Sequence, residues 1–143
     1  MKRPQWVLLS VFWFVSLALT GFALAADPAG GNPQVACPVS GRAVDKAQHL
    51  DWQGQRIYFC CGACPGKFTA DPEAYFSKFA ADGVVLENVQ GVCPVSGEAL
   101  EERGSFVDFK GRRVFFCCDK CIKEFEKDPA KYLARLPGEQ GGK

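Results

Sequence analysis

The chain has 143 residues, of which 48% are hydrophobic, 17 are basic, 16 are acidic and eight are cysteine. A formal charge of +1 argues against nucleic acid as a partner, because phosphate binding needs a clustered excess of Lys and Arg. Electrostatic adhesion to a membrane surface fails for the same reason, so the cysteines are the one compositional feature that points to a function.

Residues 1–26 read as a secretory signal peptide. Lys2 and Arg3 precede an apolar run from Trp6 to Leu19, and Ala23-Leu24-Ala25 places small residues at alternate positions before the cleavage point. The rival reading is an uncleaved N-terminal membrane anchor, since Trp6 to Ala26 approaches the roughly 20 residues that span a bilayer. Cleavage removes two basic residues and no acid, leaving 15 basic against 16 acidic residues. The mature chain is then nearly neutral and exported, to a periplasm or the extracellular space, with no further membrane insertion.

Residues 27–34 are rich in Pro and Gly and read as a flexible tether; residues 137–143 close the chain in the same way. Between them one pattern is written twice, over 35–81 and 91–136, with a linker at 82–90. Cys37-Pro38-Val39-Ser40-Gly41 leads to Phe59-Cys60-Cys61 and Cys64, and Cys93-Pro94-Val95-Ser96-Gly97 leads to Phe116-Cys117-Cys118 and Cys121. The separation is 56 positions from Cys37 to Cys93 and 57 from Cys60 to Cys117, so one copy carries one inserted residue between its first cysteine and its cysteine pair.

Each copy predicts a hairpin followed by two short helices. His49–Trp52 and Arg56–Cys60 in the first copy, and Phe106–Phe109 and Arg113–Cys117 in the second, are strands rich in β-branched and aromatic residues, joined by the tight turns Gln53-Gly54 and Lys110-Gly111. A helix follows each cysteine pair. A second starts at Asp71-Pro72 or Asp128-Pro129, where Asp caps and Pro takes the first helical position. Tyr75, Phe76 and Phe79, like Tyr132, Leu133 and Leu136, recur on one helical face and read as core. A unit of under 50 residues is too small to be secured by its core alone, so the cysteines must act as staples, ligands or both.

Three readings of the thiols compete. In the first, a cysteine in a Cys-Pro-x-x-Gly turn meets thiols delivered by the hairpin at a helix start, which makes a metal site. Cys60 with Cys64, or Cys61 with Cys64, has chelating spacing, as have Cys117 or Cys118 with Cys121. If the pair lies in extended backbone, its side chains point to opposite faces and one ligand per pair is favoured. The second reading is a disulfide framework, with bridges from Cys37 to the far cluster, because adjacent cysteines about 3.8 Å apart at Cα are too close for an ordinary bridge. The third is a thiol oxidoreductase built on Cys61-x-x-Cys64 and Cys118-x-x-Cys121, for which neither unit has room for a βαβ scaffold.

The pattern Cys-Pro-Val-x-Gly, then Gly54-x-Arg56-Ile57-Tyr58-Phe59-Cys60-Cys61-x-x-Cys64, Phe68, Asp71-Pro72 and Tyr75, resembles the YHS/TRASH family of small heavy-metal-binding domains. The second copy repeats it through Gly111, Arg113-Val114-Phe115-Phe116-Cys117-Cys118-x-x-Cys121, Phe125, Asp128-Pro129 and Tyr132. The resemblance implies a small α+β fold of two tandem treble-clef-like modules (knuckle, β-hairpin, short helices), stabilised by metal or disulfides. It implies ligand triads of Cys37, Cys60 and Cys64, and of Cys93, Cys117 and Cys121, with Cys61 and Cys118 as additional candidates. Related four-cysteine fingers carry a second knuckle cysteine where this chain has Ser40 and Ser96, which puts a closed tetrahedral zinc site in doubt.

Three thiolates without a fourth ligand suit soft or exchangeable ions. His49 has Phe106 as its counterpart, so it is no shared ligand and reads as a surface strand residue; Met1 is the only methionine, which rules out a methionine-rich copper site. The acids Glu98, Glu101, Glu102, Glu124 and Glu126 read as solvated surface. No catalytic constellation or phosphate-binding loop is present in the sequence. The expected function is exported binding of a soft or borderline heavy-metal ion, Cu(I) or zinc, about one per repeat, for trafficking, scavenging or resistance. The expected partners are metal ions and a metal transporter or another exported metal protein. The alternative is a disulfide-stapled structural or adaptor protein.

Overall fold

The structure is a computed structural model that describes residues 30–138. The signal-peptide expectation therefore lies outside the described residues. Among the described residues, no helix is long and apolar enough to cross a membrane.

Each module runs knuckle, hairpin, helix, helix. In the first, β2 (Asp45–Trp52) and β3 (Gln55–Phe59) pair antiparallel and lead to α1 (Cys64–Ala70) and α2 (Pro72–Ala81). In the second, β6 (Ser105–Phe109) and β7 (Arg112–Phe116) lead to α3 (Asp119–Phe125) and α4 (Pro129–Leu133). The turns are two-residue loops in which both central residues have positive φ, 48° and 76° at Gln53 and Gly54, 46° and 78° at Lys110 and Gly111. That conformation matches the twist of a hairpin. The return strands end one residue before the expected cysteine. The helix boundaries follow the capping chemistry, with Asp71 Oδ1 accepting from the Ala74 N–H at 3.3 Å and Asp128 Oδ1 from the Lys131 N–H at 3.2 Å.

The inserted residue of the second copy falls between the knuckle and the hairpin. There β2 of the first module extends back to Asp45 through a bulge before His49, whereas residues 101–104 of the second module form no strand. His49 lies exposed on β2, as expected of a surface strand residue.

Each module has its own core around one phenylalanine. Phe68 packs edge-on or tilted against Trp52, Phe59, Tyr75 and Phe76 at 5.6–5.9 Å between ring centroids. Phe125 does the same with Phe109, Phe116 and Tyr132 at 5.2–6.5 Å. Such pairs add about 0.5–1.5 kcal/mol each beyond burial. The knuckle cysteines Cys37 and Cys93 belong to these cores, at 1% and 0% exposure.

The described part of the expected tether, and the linker, contain short strands. Asn32–Pro33 forms a short strand, β1, parallel to β4 (Val84–Val85), and β5 (Glu87–Asn88) adds to β3 as a third strand. Gln34 explains how a Pro/Gly-rich segment is held. Its Nε2 donates to the Tyr58 carbonyl at 2.7 Å and its Oε1 accepts from the Tyr58 N–H at 2.9 Å, so one side chain completes the edge of β3. Gln90 does the same for Phe115 on β7, at 2.6 Å and 3.0 Å, and is 1% exposed. Each glutamine stands three residues before its knuckle cysteine.

The two copies are docked through their hairpin turns. The Gly111 turn presses on α2, where a Cβ on Gly111 would overlap the Phe76 carbonyl. Reciprocally, the Gly54 N–H donates to the Pro137 carbonyl at 2.9 Å, in the expected flexible tail, with Leu136 against the same turn. Between the turns, Gln55 Nε2 and Asn88 Nδ2 both donate to the Arg113 carbonyl, at 2.8 Å and 2.7 Å.

Candidate metal centre

The knuckle sets the first cysteine of each site. Gly41, at φ 72°, turns its N–H back to the Cys37 carbonyl at 2.8 Å, and the Cys37 N–H donates to the Arg42 carbonyl at 2.7 Å. Gly97, Cys93 and Glu98 reproduce this loop at 2.9 Å and 2.8 Å. Positive φ at the fourth residue after the cysteine is what makes glycine necessary there. The end of β3 or β7 brings the second thiol, and the first residues of α1 or α3 bring the third.

Cys37, Cys60 and Cys64 place their sulfurs within 4.8 Å of one another, and so do Cys93, Cys117 and Cys121. These are groupings that could hold a metal ion, and they are the triads implied by the family resemblance. Sulfur atoms bound at about 2.3 Å to one ion lie at most about 4.6 Å apart, so small adjustments close the triads. Cys61 and Cys118 stand beside them. Cys61 Sγ lies 3.5 Å from Cys64 Sγ and 3.8 Å from Cys60 Sγ, and Cys118 Sγ lies 3.6 Å from Cys121 Sγ and 3.9 Å from Cys117 Sγ. Neither joins the set that converges on the knuckle cysteine. One thiol of each adjacent pair thus enters the cluster and the other stays at its rim. All eight cysteines are free thiols, and the bridges from Cys37 that a stapled domain would use are not formed.

The serine hydroxyls face the clusters from the knuckle. Ser40 Oγ lies 3.1 Å from Cys60 Sγ, and Ser96 Oγ lies 3.3 Å from Cys117 Sγ. A hydroxyl at this point supports a thiolate by hydrogen bonding but stays protonated near neutral pH, so it does not replace a fourth thiolate.

The thiols of each site differ in acidity. The Ser40 hydroxyl and, against the cost of desolvation, the Arg42 guanidinium hold Cys60 below the ordinary thiol value. Desolvation together with the Cys61 and Cys60 thiols pushes Cys64 up to about 12. Desolvation opposes ionisation of Cys93, but the Ser96 and Cys117 backbone N–H groups and the Ser96 hydroxyl outweigh it and bring this thiol to about 7. Cys121 is raised, chiefly by desolvation. The outer thiols Cys61 and Cys118 are lowered, first by the backbone N–H groups of Ala63 and Cys121. The first triad therefore holds two readily ionised thiols, Cys37 and Cys60, beside Cys64, which keeps its proton until an ion displaces it, whereas in the second only Cys93 is lowered and both Cys117 and Cys121 are raised.

Two charged residues also bear on the clusters, Arg42, which carries no motif in the sequence, and Glu98, which reads there as solvated surface. Arg42 donates from Nη2 to Cys60 Sγ at 3.2 Å and reaches Cys61 Sγ at 4.0 Å. Glu98 follows Gly97 as Arg42 follows Gly41; Cys117, which the Ser96 hydroxyl lowers, is raised on balance by desolvation, then by the Cys93 thiol and last by the Glu98 carboxylate. Both look like solvated charges in the sequence; the signal was their common place one residue after the knuckle glycine.

Residues 92–135 match the family model of the YHS domain. The match spans the second module from its knuckle through α4, and the first module presents the same knuckle, hairpin and thiol geometry. No curated protein and no solved structure matches the chain.

Proposed function

We propose that the mature chain is an exported carrier or scavenger of soft or borderline heavy-metal ions, copper or zinc, binding about one ion in each module through Cys37, Cys60 and Cys64 and through Cys93, Cys117 and Cys121. The observation that carries this reading is the pair of three-thiol clusters, each faced by a serine hydroxyl where a closed zinc knuckle would have a fourth thiolate. Three thiolates bind a soft ion firmly yet leave a side open to an incoming ligand. Cys61 and Cys118, lowered in pKa and at the rim, are placed to make first contact with an arriving or departing ion. The partner is then a metal transporter or another exported metal protein that offers a competing thiol. The chain performs no catalysis in this account; its work is capture and transfer. Residues 1–26 direct export.

The test is exchange. The reduced mature protein, loaded with zinc or Cu(I), is mixed with a competing chelator and release is followed in time. Prompt and complete release fits a carrier, and an ion held through prolonged dialysis against the chelator would make the sites structural. N-terminal sequencing of the protein recovered from its compartment checks export, with Asp27 as the expected first residue.

A further inference from the structure

Each cluster carries one cysteine that its triad does not use. Cys61 and Cys118 stand outside the sulfurs that converge on the knuckle cysteine, yet Cys61 Sγ lies 3.5 Å from Cys64 Sγ and Cys118 Sγ lies 3.6 Å from Cys121 Sγ. The backbone fixes both pairs, because the Cys64 N–H donates to the Cys61 carbonyl at 3.3 Å and the Cys121 N–H to the Cys118 carbonyl at 3.1 Å. A turn closed in this way keeps its end Cα atoms within about 7 Å, and a disulfide spans about 4.4–6.8 Å between Cα atoms. We infer that Cys61 and Cys118 are the redox partners of Cys64 and Cys121: in the empty protein a low-molecular-weight disulfide closes a Cys61–Cys64 and a Cys118–Cys121 bridge, and each bridge withdraws a ligand from its triad. This rests on the metal-binding reading above and assigns the regulation of its sites.

Exposure and position select these pairs. Cys61 is half-buried and Cys118 exposed, against 6% and 8% exposure at Cys64 and Cys121, so the rim thiol meets an oxidant first and the inner thiol resolves the product. Cys60 and Cys117 lie as near to the inner thiols, at 3.7 Å and 3.6 Å, but their sulfurs are held toward the knuckle by Ser40 and Arg42 and by Ser96, and the closing backbone bond falls on Cys61 and Cys118 instead. In the first step the Cys61 thiolate attacks one sulfur of the oxidant RS–SR, forming a Cys61–SR bond while the oxidant's S–S bond breaks and RS⁻ leaves with the bonding pair. The Cys64 thiolate then attacks Cys61 Sγ, forming the protein disulfide and expelling the second RS⁻. The two thiol protons end on two RSH, so the protein gives up two electrons and the oxidant takes them. A bound ion blocks the second step, because the attacking electron pair of Cys64 is then held by the metal. Each module is thus loaded and reduced or empty and oxidised, a distinction that matters in the oxidising compartments where disulfides form.

The test treats the reduced, metal-free mature chain with glutathione disulfide, maps the bridges by peptide mass spectrometry after the remaining thiols are blocked, and then reads zinc uptake by native mass spectrometry. The expected products are the Cys61–Cys64 and Cys118–Cys121 bridges, with zinc uptake lost in both modules and recovered after dithiothreitol. A chain loaded with zinc before the oxidant is added should keep its thiols. Cys61→Ser should lose the first bridge and keep the second, and Cys118→Ser the reverse. Bridges from Cys37, Cys60, Cys93 or Cys117 in place of these, no bridge in a chain that takes up zinc, or full zinc uptake by the bridged chain overturns the inference and leaves the carrier reading in place. Both bridges in a chain that takes up no zinc even when reduced overturn the carrier reading and leave the pairing standing.

Discussion

Arg112, 1% exposed, lays its guanidinium 3.6 Å from the centroid of the Phe76 ring and pairs with Glu73, so a strand residue of the second module is sealed against α2 of the first. Removing this side chain takes away its contact with the Phe76 ring and its pairing with Glu73 and leaves a cavity between the modules. Together with the reciprocal contacts of the Gly111 and Gly54 turns, Arg112 joins two modules of marginal size into one folding unit.

Arg112→Ala is therefore expected to lower stability by about 3 kcal/mol, and to do so for both modules at once. In urea the wild type should unfold in one transition reported equally by Trp52 fluorescence, which sits in the first module, and by far-ultraviolet dichroism. Two separated transitions, one of them unmoved by the substitution, would mean that the modules fold independently.

The glutamines that complete the sheet edges give a graded expectation. Gln90→Leu leaves the N–H and C=O of Phe115 without their partner in a buried place, at a cost of about 1–3 kcal/mol. Gln34→Leu removes the same pair of bonds from Tyr58, where the side chain is only partly buried and water can substitute. Denaturant unfolding should show the larger loss for Gln90→Leu. Equal losses would mean that exposure does not govern the device.

Much of this architecture was legible because it is local. The turns Gln53-Gly54 and Lys110-Gly111, the caps Asp71-Pro72 and Asp128-Pro129, and the periodic Phe76, Phe79, Tyr132 and Leu136 each carry their signal within a few residues. The cysteine triads were legible through repetition, since the spacing recurs with the rest of the pattern. What could not be read is what depends on distant partners. Asn32–Pro33 has the composition of a loop and is a strand through its pairing with Val84–Val85, while Glu87–Asn88 pairs with Gln55–Arg56; Gln34 and Asn88 add side-chain bonds to the backbone of Tyr58 and Arg113. Arg42 and Glu98 look like ordinary surface charges until the knuckle folds over the cysteine pair.

Restoring a fourth thiol should close the first site. Ser40 Oγ already lies 3.1 Å from Cys60 Sγ, so in Ser40→Cys a thiolate would meet the ion without rearrangement of the knuckle. Zinc release from that module to a chelator is expected to slow about tenfold or more, and preference should shift toward zinc. An unchanged, slow release in wild type and variant alike would show that the native site is already closed.

Alkaline pH separates the empty from the loaded protein. The folded, metal-free state holds the Cys64 thiol at about 12 against an ordinary value of 9.0. A pKa raised by folding contributes stability that is fully present below the unfolded value and is lost as pH rises through the folded one. The metal-free protein should therefore weaken between pH 9 and 12, as the unfolded chain releases a proton that the folded chain retains. With metal bound the thiolates carry no proton and this loss should vanish, while acidification should instead drive metal out. Urea midpoints against pH, for both forms and for Cys64→Ala, check the sign; a metal-free midpoint that is flat over this range, or falls equally in Cys64→Ala, would contradict it.

The most direct test counts ions and thiols together. Mature protein purified from its own compartment, kept under its native redox conditions, is weighed intact by native mass spectrometry, beside Cys64→Ser and Cys121→Ser. The account expects about two metal ions in the wild type, eight cysteines without disulfides, and one ion in each variant, with the lost ion belonging to the altered module. Cysteines found paired in disulfides, with no metal taken up after mild reduction, would contradict it.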